Sequence, residues 1–178
     1  MSGGSGPRRV VVSAIAGKYN PRFMPDYSIR PATVDDVDAL VHHRLAMFTE
    51  MGTPFDAPVI RQMFREWLLK MMPAGQYRAW VCVTEGGEIV AGAGLTLLKW
   101  PPGPSAISSE RIAFVYNVYT EPPHRKRGLA RRLMDTVHAW CAGHGVGAVA
   151  LNAAPAAQHL YESQGYRPAP SPMMWKIT

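Results

Sequence analysis

Apolar and polar positions divide the chain into a succession of short elements. A first strand is predicted over residues 27–30, followed by a helix that Thr33 and Asp36 open at the spacing of a capping box. Val34, Val37, Leu40, Val41, Leu45 and Phe48 recur at helical spacing and give this helix one apolar face. A loop over 52–58 breaks it. A second helix over 59–72 turns Ile60, Met63, Phe64, Trp67 and Met71 inward. Residues 78–84 alternate as a strand, Gly86 and Gly87 make a hairpin turn, and 88–98 form the next strand. Gly92 and Gly94 fall inside that strand, where bulges are expected. The Pro-rich stretch 100–109 suits neither helix nor strand.

The most informative stretch runs from Arg111 to Cys141. Residues 112–119 are β-branched, aromatic or apolar with one polar interruption, Asn117, and suit a buried strand. Pro122 and Pro123 end it, because neither can donate to a ladder. Leu129, Leu133, Val137, Trp140 and Cys141 then line one face of a helix that breaks at Gly143. A buried strand over 148–152, a short helix over 156–164 and a last strand over 173–177 complete the pattern. The order β-α-α-β-β-β-α-β-α-β(-β) predicts an α/β (α+β) class, a central mixed sheet with helices on both faces. Residues 1–25, Gly/Ser-rich and then basic and apolar by turns, read as an extension outside this fold, which occupies 26–178.

Composition narrows the classes. The chain has 178 residues, of which 47% are hydrophobic, enough for one domain with a proper core. No apolar run is long enough to span a bilayer, so no membrane partner is expected and a cytoplasmic location is the default. Two cysteines, Cys82 and Cys141, are too few for a disulfide framework, and no metal-ligand spacing is present, so no metal is expected. The net charge of +6 changes the picture more. Arg111, Arg125, Lys126, Arg127, Arg131 and Arg132 all lie in or beside the central stretch. A nucleic-acid-binding domain is a rival reading of that charge. It is disfavoured because the cations crowd one turn without interleaved aromatics.

The loop Arg125-Lys126-Arg127-Gly128-Leu129-Ala130 sits between the central strand and its helix. The first N–H groups of a helix have no intrahelical partner and lie at the positive end of its dipole, so they can hold a phosphate. Gly128 and Ala130 leave room for close approach, and the arginines and Lys126 add charge.

These residues resemble the pyrophosphate loop of the GNAT-superfamily N-acetyltransferases, whose pattern is Arg/Gln-x-x-Gly-x-Gly/Ala. A second signature of that family appears as Leu160-Tyr161-Glu162-Ser163-Gln164-Gly165-Tyr166, at the spacing the family shows. The likeness covers about 27–178. It implies a GNAT-like acyl-CoA N-acyltransferase fold, acetyl-CoA as co-substrate, and acetyl transfer to a primary amine of a small molecule or peptide by direct attack in a ternary complex. It also implies site residues. Val118, Tyr119 and Thr120 would pair with the pantetheine arm, and Arg125, Lys126, Arg127, Gly128, Leu129, Ala130 and Arg131 would hold the pyrophosphate. Tyr161 would be the general acid that protonates the leaving thiolate. Where the family often keeps a pantetheine-binding asparagine this chain has Ala154, and Asn152 is the nearest substitute. The family also places the first helix pair beside the acceptor.

The general base is not given by the pattern. Glu110 is the nearest carboxylate in sequence to the central strand and is the candidate, and it reads equally as a surface charge. His42, His43 and His159 are further candidates. Asp35, Asp36, Asp38, Glu50 and Asp56 point weakly to a cationic acceptor and more simply to helix starts and surface charge. A non-catalytic acyl-CoA-binding regulatory module remains a second rival. A homodimer, with 1–25 packed on a neighbouring subunit, stays open.

Overall fold

A computed structural model describes residues 27–101 and 110–169. The strands are β1 (Tyr27–Pro31), β2 (Tyr77–Thr84), β3 (Ile89–Lys99), β4 (Arg111–Thr120) and β5 (Ala148–Leu151), and the helices are α1 (Val37–Glu50), α2 (Ala57–Met71), α3 (Leu129–Gly143) and α4 (Gln158–Glu162). They form one mixed sheet in the order β1-β2-β3-β4-β5, antiparallel except for the parallel β4–β5 pair. The expected extension 1–25, most of the Pro-rich loop and the last strand over 173–177 lie outside the described residues.

Alternation along β2 divides the core. Tyr77, Ala79 and Val81 face α1 and α2, where Val37, Leu40, Val41, Leu45, Phe64 and Leu68 are buried against them. Trp80 and Cys82 face the other way and pack with Leu129, Leu133, Met134, Val137 and Cys141 of α3. Each face of the sheet therefore carries one helical layer, as the period-2 and period-3.6 patterns require. Burial raises the thiol pKa of both Cys82 and Cys141. The two thiols are free.

Helix starts are set by side chains. Asp36 accepts from the Thr33 N–H at 2.8 Å, and Thr33 Oγ1 accepts from the Asp35 N–H at 3.3 Å, so the expected capping box is present. It opens a single 3-10 turn (Val34–Asp36) before α1 begins. Arg30 grips the buried Asp36 with two hydrogen bonds of 2.7 and 2.8 Å. Those bonds hold the Asp36 carboxyl below its ordinary value. The second helix starts at Ala57 rather than Val59, because Asp56 caps it through the Val59 N–H at 3.1 Å. The predicted helix over 156–164 shortens to α4, with a 3-10 turn at Pro155–Ala157 before it.

Candidate active site

The site begins with a defect in the sheet. Between the pairs Gly92↔Tyr119 and Gly94↔Tyr116 the register advances two residues on β3 and three on β4. The extra residue is the polar interruption in the sequence: Asn117 adopts φ 55, in the left-handed region. The bulge opposite the two glycines therefore lies on β4, while β3 carries an extra residue of its own at Val90, in its pairing with β2. Asn117 is held on both sides. Its Oδ1 accepts from Arg44 Nη1 at 2.6 Å, and its Nδ2 donates to the Tyr77 hydroxyl at 3.3 Å. Gly94 is glycine because the Tyr77 ring lies across its Cα, where a Cβ would collide with it.

The bulge changes which side chains face which layer. Ala113, Val115 and Val118 pack with the α3 cluster, whereas Tyr116 packs with the α1–α2 cluster. Tyr119 also turns toward α1, with its ring 5.2 Å from that of His43.

A second irregularity adjoins the first. The β4–β5 pairing ends at Val115↔Leu151, yet β4 continues through 116–120. Beyond Val115 the two strands part, and the edge of β4 that faced β5 has no strand beside it among the described residues. Thr120 lies at its end with a buried hydroxyl that has no partner among the described residues. Asn152 is exposed where β5 leaves the sheet. Tyr161 on α4 is 7% exposed, in edge contact with Tyr166 at 5.6 Å. Burial raises its hydroxyl pKa.

The loop from β4 to α3 follows that edge in the chain. After a 3-10 turn at Pro122–His124, Lys126 (φ 59) and Gly128 (φ 75) both take left-handed backbone. Gly128 is the N-cap of α3 and supplies no side-chain cap. The first helical bond runs from Arg132 N–H to the Gly128 carbonyl, so the N–H groups of Leu129, Ala130 and Arg131 point out of the helix end. A Cβ on Gly128 would meet nothing within 4 Å. Leu129 itself is buried, so only its main chain can serve a ligand. Free N–H groups, open space at Gly128 and exposed cations beside it are what a phosphate needs.

The basic residues do not act alike. Lys126 and Arg127 are exposed on the loop. Arg125 is exposed too but engaged, donating to the Thr120 carbonyl at 2.8 Å and to Glu50 at 2.6 Å, with its guanidinium 5.4 Å from the Tyr119 ring centre. Arg131 bonds Ser163 Oγ at 2.6 Å and ties α3 to α4, and Arg132 donates to the Tyr27 carbonyl at 2.9 Å.

Across the sheet, α1, α2 and the bulge enclose a pocket of about 340 Å³. Ile60, Met63, Phe64 and Trp67 come from α2, and Tyr77 and Tyr116 from the sheet. Arg44 and Asn117 supply the remaining polar lining.

Beside the pocket, the end of β4 meets the acidic and imidazole groups of α1. The Tyr119 hydroxyl donates to Glu50 at 3.2 Å, and burial, with Glu121 and Glu50 nearby, pushes its pKa up to about 12. His42 bonds Glu121 at 2.9 Å. His43 is 1% exposed, and neither ring nitrogen has a hydrogen-bond partner among the described residues. Burial and the neighbouring His42 lower its pKa to about 4. The 3.6 Å approach of its Nε2 to Glu121 is thus a contact with a neutral imidazole at neutral pH, not an ion pair.

Glu110 is not brought to this site. It is exposed at the start of β4, its carbonyl accepting from the Trp100 N–H at 2.8 Å, while the bulge lies near the strand's other end. His159 is exposed on α4. Among the described residues no cluster of His, Cys, Asp and Glu could hold a metal ion, and no helix is long and apolar enough to cross a membrane. Arg44, Asn117 and Glu121 were not singled out for the site from sequence, and Glu50 entered only among the acids that point weakly to a cationic acceptor. The legible signals were an asparagine in an apolar strand and an arginine on the apolar stripe of α1, between Leu40 and Phe48.

Comparison with known proteins places this geometry. The sequence profile of the family described as Acetyltransferase (GNAT) family matches residues 39–166. A GCN5-related N-acetyltransferase structure from Ralstonia eutropha JMP134 is 35% identical, with a TM-score of 0.76 over 85% of this chain and 99% of that one. A predicted acetyltransferase from Clostridium acetobutylicum, solved with acetyl-CoA, has the same TM-score at 19% identity, over 85% of this chain and 96% of that one. Glucosamine-6-phosphate N-acetyltransferase from Arabidopsis thaliana is 16% identical, with a TM-score of 0.66 over 85% and 98% of the two chains. A comparison with curated proteins finds no significant match.

Proposed function

The chain belongs to the GNAT acetyltransferase family, and from that premise we propose that it moves the acetyl group of acetyl-CoA onto the primary amine of a small acceptor, both bound at once. One observation carries the reading. The β4 bulge adjoins a strand edge that β5 has left, the chain runs from there to a glycine-capped helix N-terminus, and the bulge residue also lines an aromatic pocket.

In this reading the N–H groups that begin α3 receive the pyrophosphate, with Lys126 and Arg127 adding charge from the loop. Main-chain groups of Val118, Tyr119 and Thr120, on the edge β5 has left, pair with the pantetheine arm. Acetyl-CoA supplies the activated acyl carbon, and the protein aligns it with the amine and excludes water. A backbone N–H at the bulge donates to the acyl oxygen as charge builds on it. Tyr161, like any tyrosine, carries its proton at neutral pH, burial shifts its pKa further up, and it can give that proton to the departing sulfur. No carboxylate lines the aromatic pocket among the described residues. The acceptor ammonium therefore loses its proton to water at the pocket mouth, not to Glu110. The buried thiols have raised pKa values, which argues against an acyl-cysteine route.

Calorimetry with acetyl-CoA, followed by a thiol-release assay over pooled primary amines, tests the reading. Binding together with amine-dependent release is the expected result. Binding without release for any amine pool would favour a coenzyme-sensing module, and absence of binding would end the account.

A further inference from the structure

We infer that the aromatic pocket takes an amine that also carries a carboxylate, namely an apolar or aromatic α-amino acid whose carboxylate is held by Arg44. The inference rests on the acetyl-transfer reading above and goes on to the acceptor, which the family does not specify.

Arg44 occupies an unusual position for a cation. It stands on the apolar stripe of α1, half-buried, with its guanidinium 4.7 Å from the Phe48 ring centre and 4.6 Å from that of Phe64. Among the described residues it forms no ion pair, and its hydrogen bond goes to the neutral amide oxygen of Asn117 at 2.6 Å. Its pKa is lowered, mainly by burial. Taking a charge out of water without a counter-charge is costly.

The acids on α1 and at the N-caps of α1 and α2 are engaged elsewhere. Asp36 is held by Arg30, Asp38 by Arg65 and Glu50 by Arg125, while Asp56 caps α2. An arginine has five donors in a fork that matches a carboxylate, and the Asn117 contact leaves most of them for a ligand. The balancing anion therefore comes with the ligand.

Geometry then orders the rest of the molecule. Arg44 bonds the side chain of the bulge residue, and both line the pocket, so an anion on Arg44 lies on the pocket side of the bulge. In an α-amino acid one carbon separates the carboxylate from the amine, which puts the nitrogen at the bulge. The side chain is left to Ile60, Met63, Phe64 and Trp67, in about 340 Å³ of space. A peptide N-terminus has no such carboxylate, and a polyamine or aminoglycoside would add positive charge against Arg44.

The test compares L-phenylalanine, L-phenylalaninamide, phenethylamine and kanamycin as acceptors, with rates corrected for the fraction of each amine that is neutral. L-phenylalanine is expected to exceed its amide and phenethylamine in kcat/KM by on the order of 10- to 100-fold, the worth of a charge-assisted hydrogen bond. In Arg44→Gln that ratio should fall toward one while the acetyl-CoA Kd stays at the parental value. Arg44→Lys, which keeps the charge but loses the fork, should give an intermediate ratio and serves if the Gln variant does not fold. A parent that prefers phenethylamine or kanamycin, or a ratio that survives Arg44→Gln, overturns the inference and leaves the transferase reading standing. Failure to bind acetyl-CoA would remove both.

Discussion

Tyr161→Phe deletes a hydroxyl and keeps the ring that packs in edge contact with Tyr166. If the hydroxyl protonates the leaving sulfur, turnover should fall by about 10²–10⁴ with the acetyl-CoA Kd little changed. Parental turnover in steady-state assays would make Tyr161 a core residue only. His43 makes a different kind of prediction, about pH. Its ordinary value is 6.5 and in the fold it is about 4, so between those values the unfolded chain binds a proton that the native protein refuses. The stability His43 contributes is complete above pH 6.5 and drains away as pH falls toward 4, with a slope of up to ~1.4 kcal/mol per pH unit. Asp36 acts lower. Its ordinary value is 3.8 and the Arg30 hydrogen bonds depress it, so its stabilisation is lost only below that. Urea midpoints across pH should show two separate declines, and His43→Phe should flatten the upper one alone. An unchanged upper decline would mean that another group titrates there.

Between β4 and α3 the chain turns through two left-handed residues, and Gly128 is the one at the helix end. Gly128→Ala places a methyl group in open space, so its cost to the fold is the strained φ alone, about 1–2 kcal/mol. Its effect on acetyl-CoA should be larger, at least tenfold in Kd by calorimetry, because the methyl group would occupy the phosphate position. An unaltered Kd would take the pyrophosphate off this turn. The bulge can be tested in the same way. Asn117→Gly tolerates φ 55 but gives up the bonds to Arg44 and Tyr77. It should fold and raise the acceptor KM more than the acetyl-CoA Kd. Asn117→Val adds a β-branched side chain in the left-handed region and should be less stable than the Gly variant by ~1–2 kcal/mol in chemical denaturation. Equal midpoints would mean that the backbone there relaxes out of the bulge.

The net charge of +6 says that the protein attracts anions, and the structure sorts which charges are available for it. Lys126→Ala with Arg127→Ala should weaken acetyl-CoA binding more at low salt than at high salt, because exposed charges are screened. Arg125→Ala should change that salt dependence little, since Arg125 is committed to Glu50 and Thr120. Equal salt profiles for the two variants in calorimetry would refute the distinction. The same split marks what could be read from the chain. The five described strands, the α3 helix, its glycine loop and the Thr33–Asp36 capping box depend on neighbours a few residues apart, and each was legible. The Arg44–Asn117 and Tyr119–Glu50 contacts join residues 73 and 69 apart, and no local pattern announces them. Glu110 was chosen because it is close in sequence, and nearness along an extended strand is distance in space. The parting of β4 from β5 has a further consequence. A sheet left open beyond Val115 is an unfinished piece of architecture, and whatever lies in the gap becomes its missing strand. The amides of 118–120 should then exchange with deuterium more slowly once acetyl-CoA is added, and α4 should tighten against the rest with them. The reactant would be a fastener as well, and letting go of the spent coenzyme would mean undoing part of the fold on every turnover.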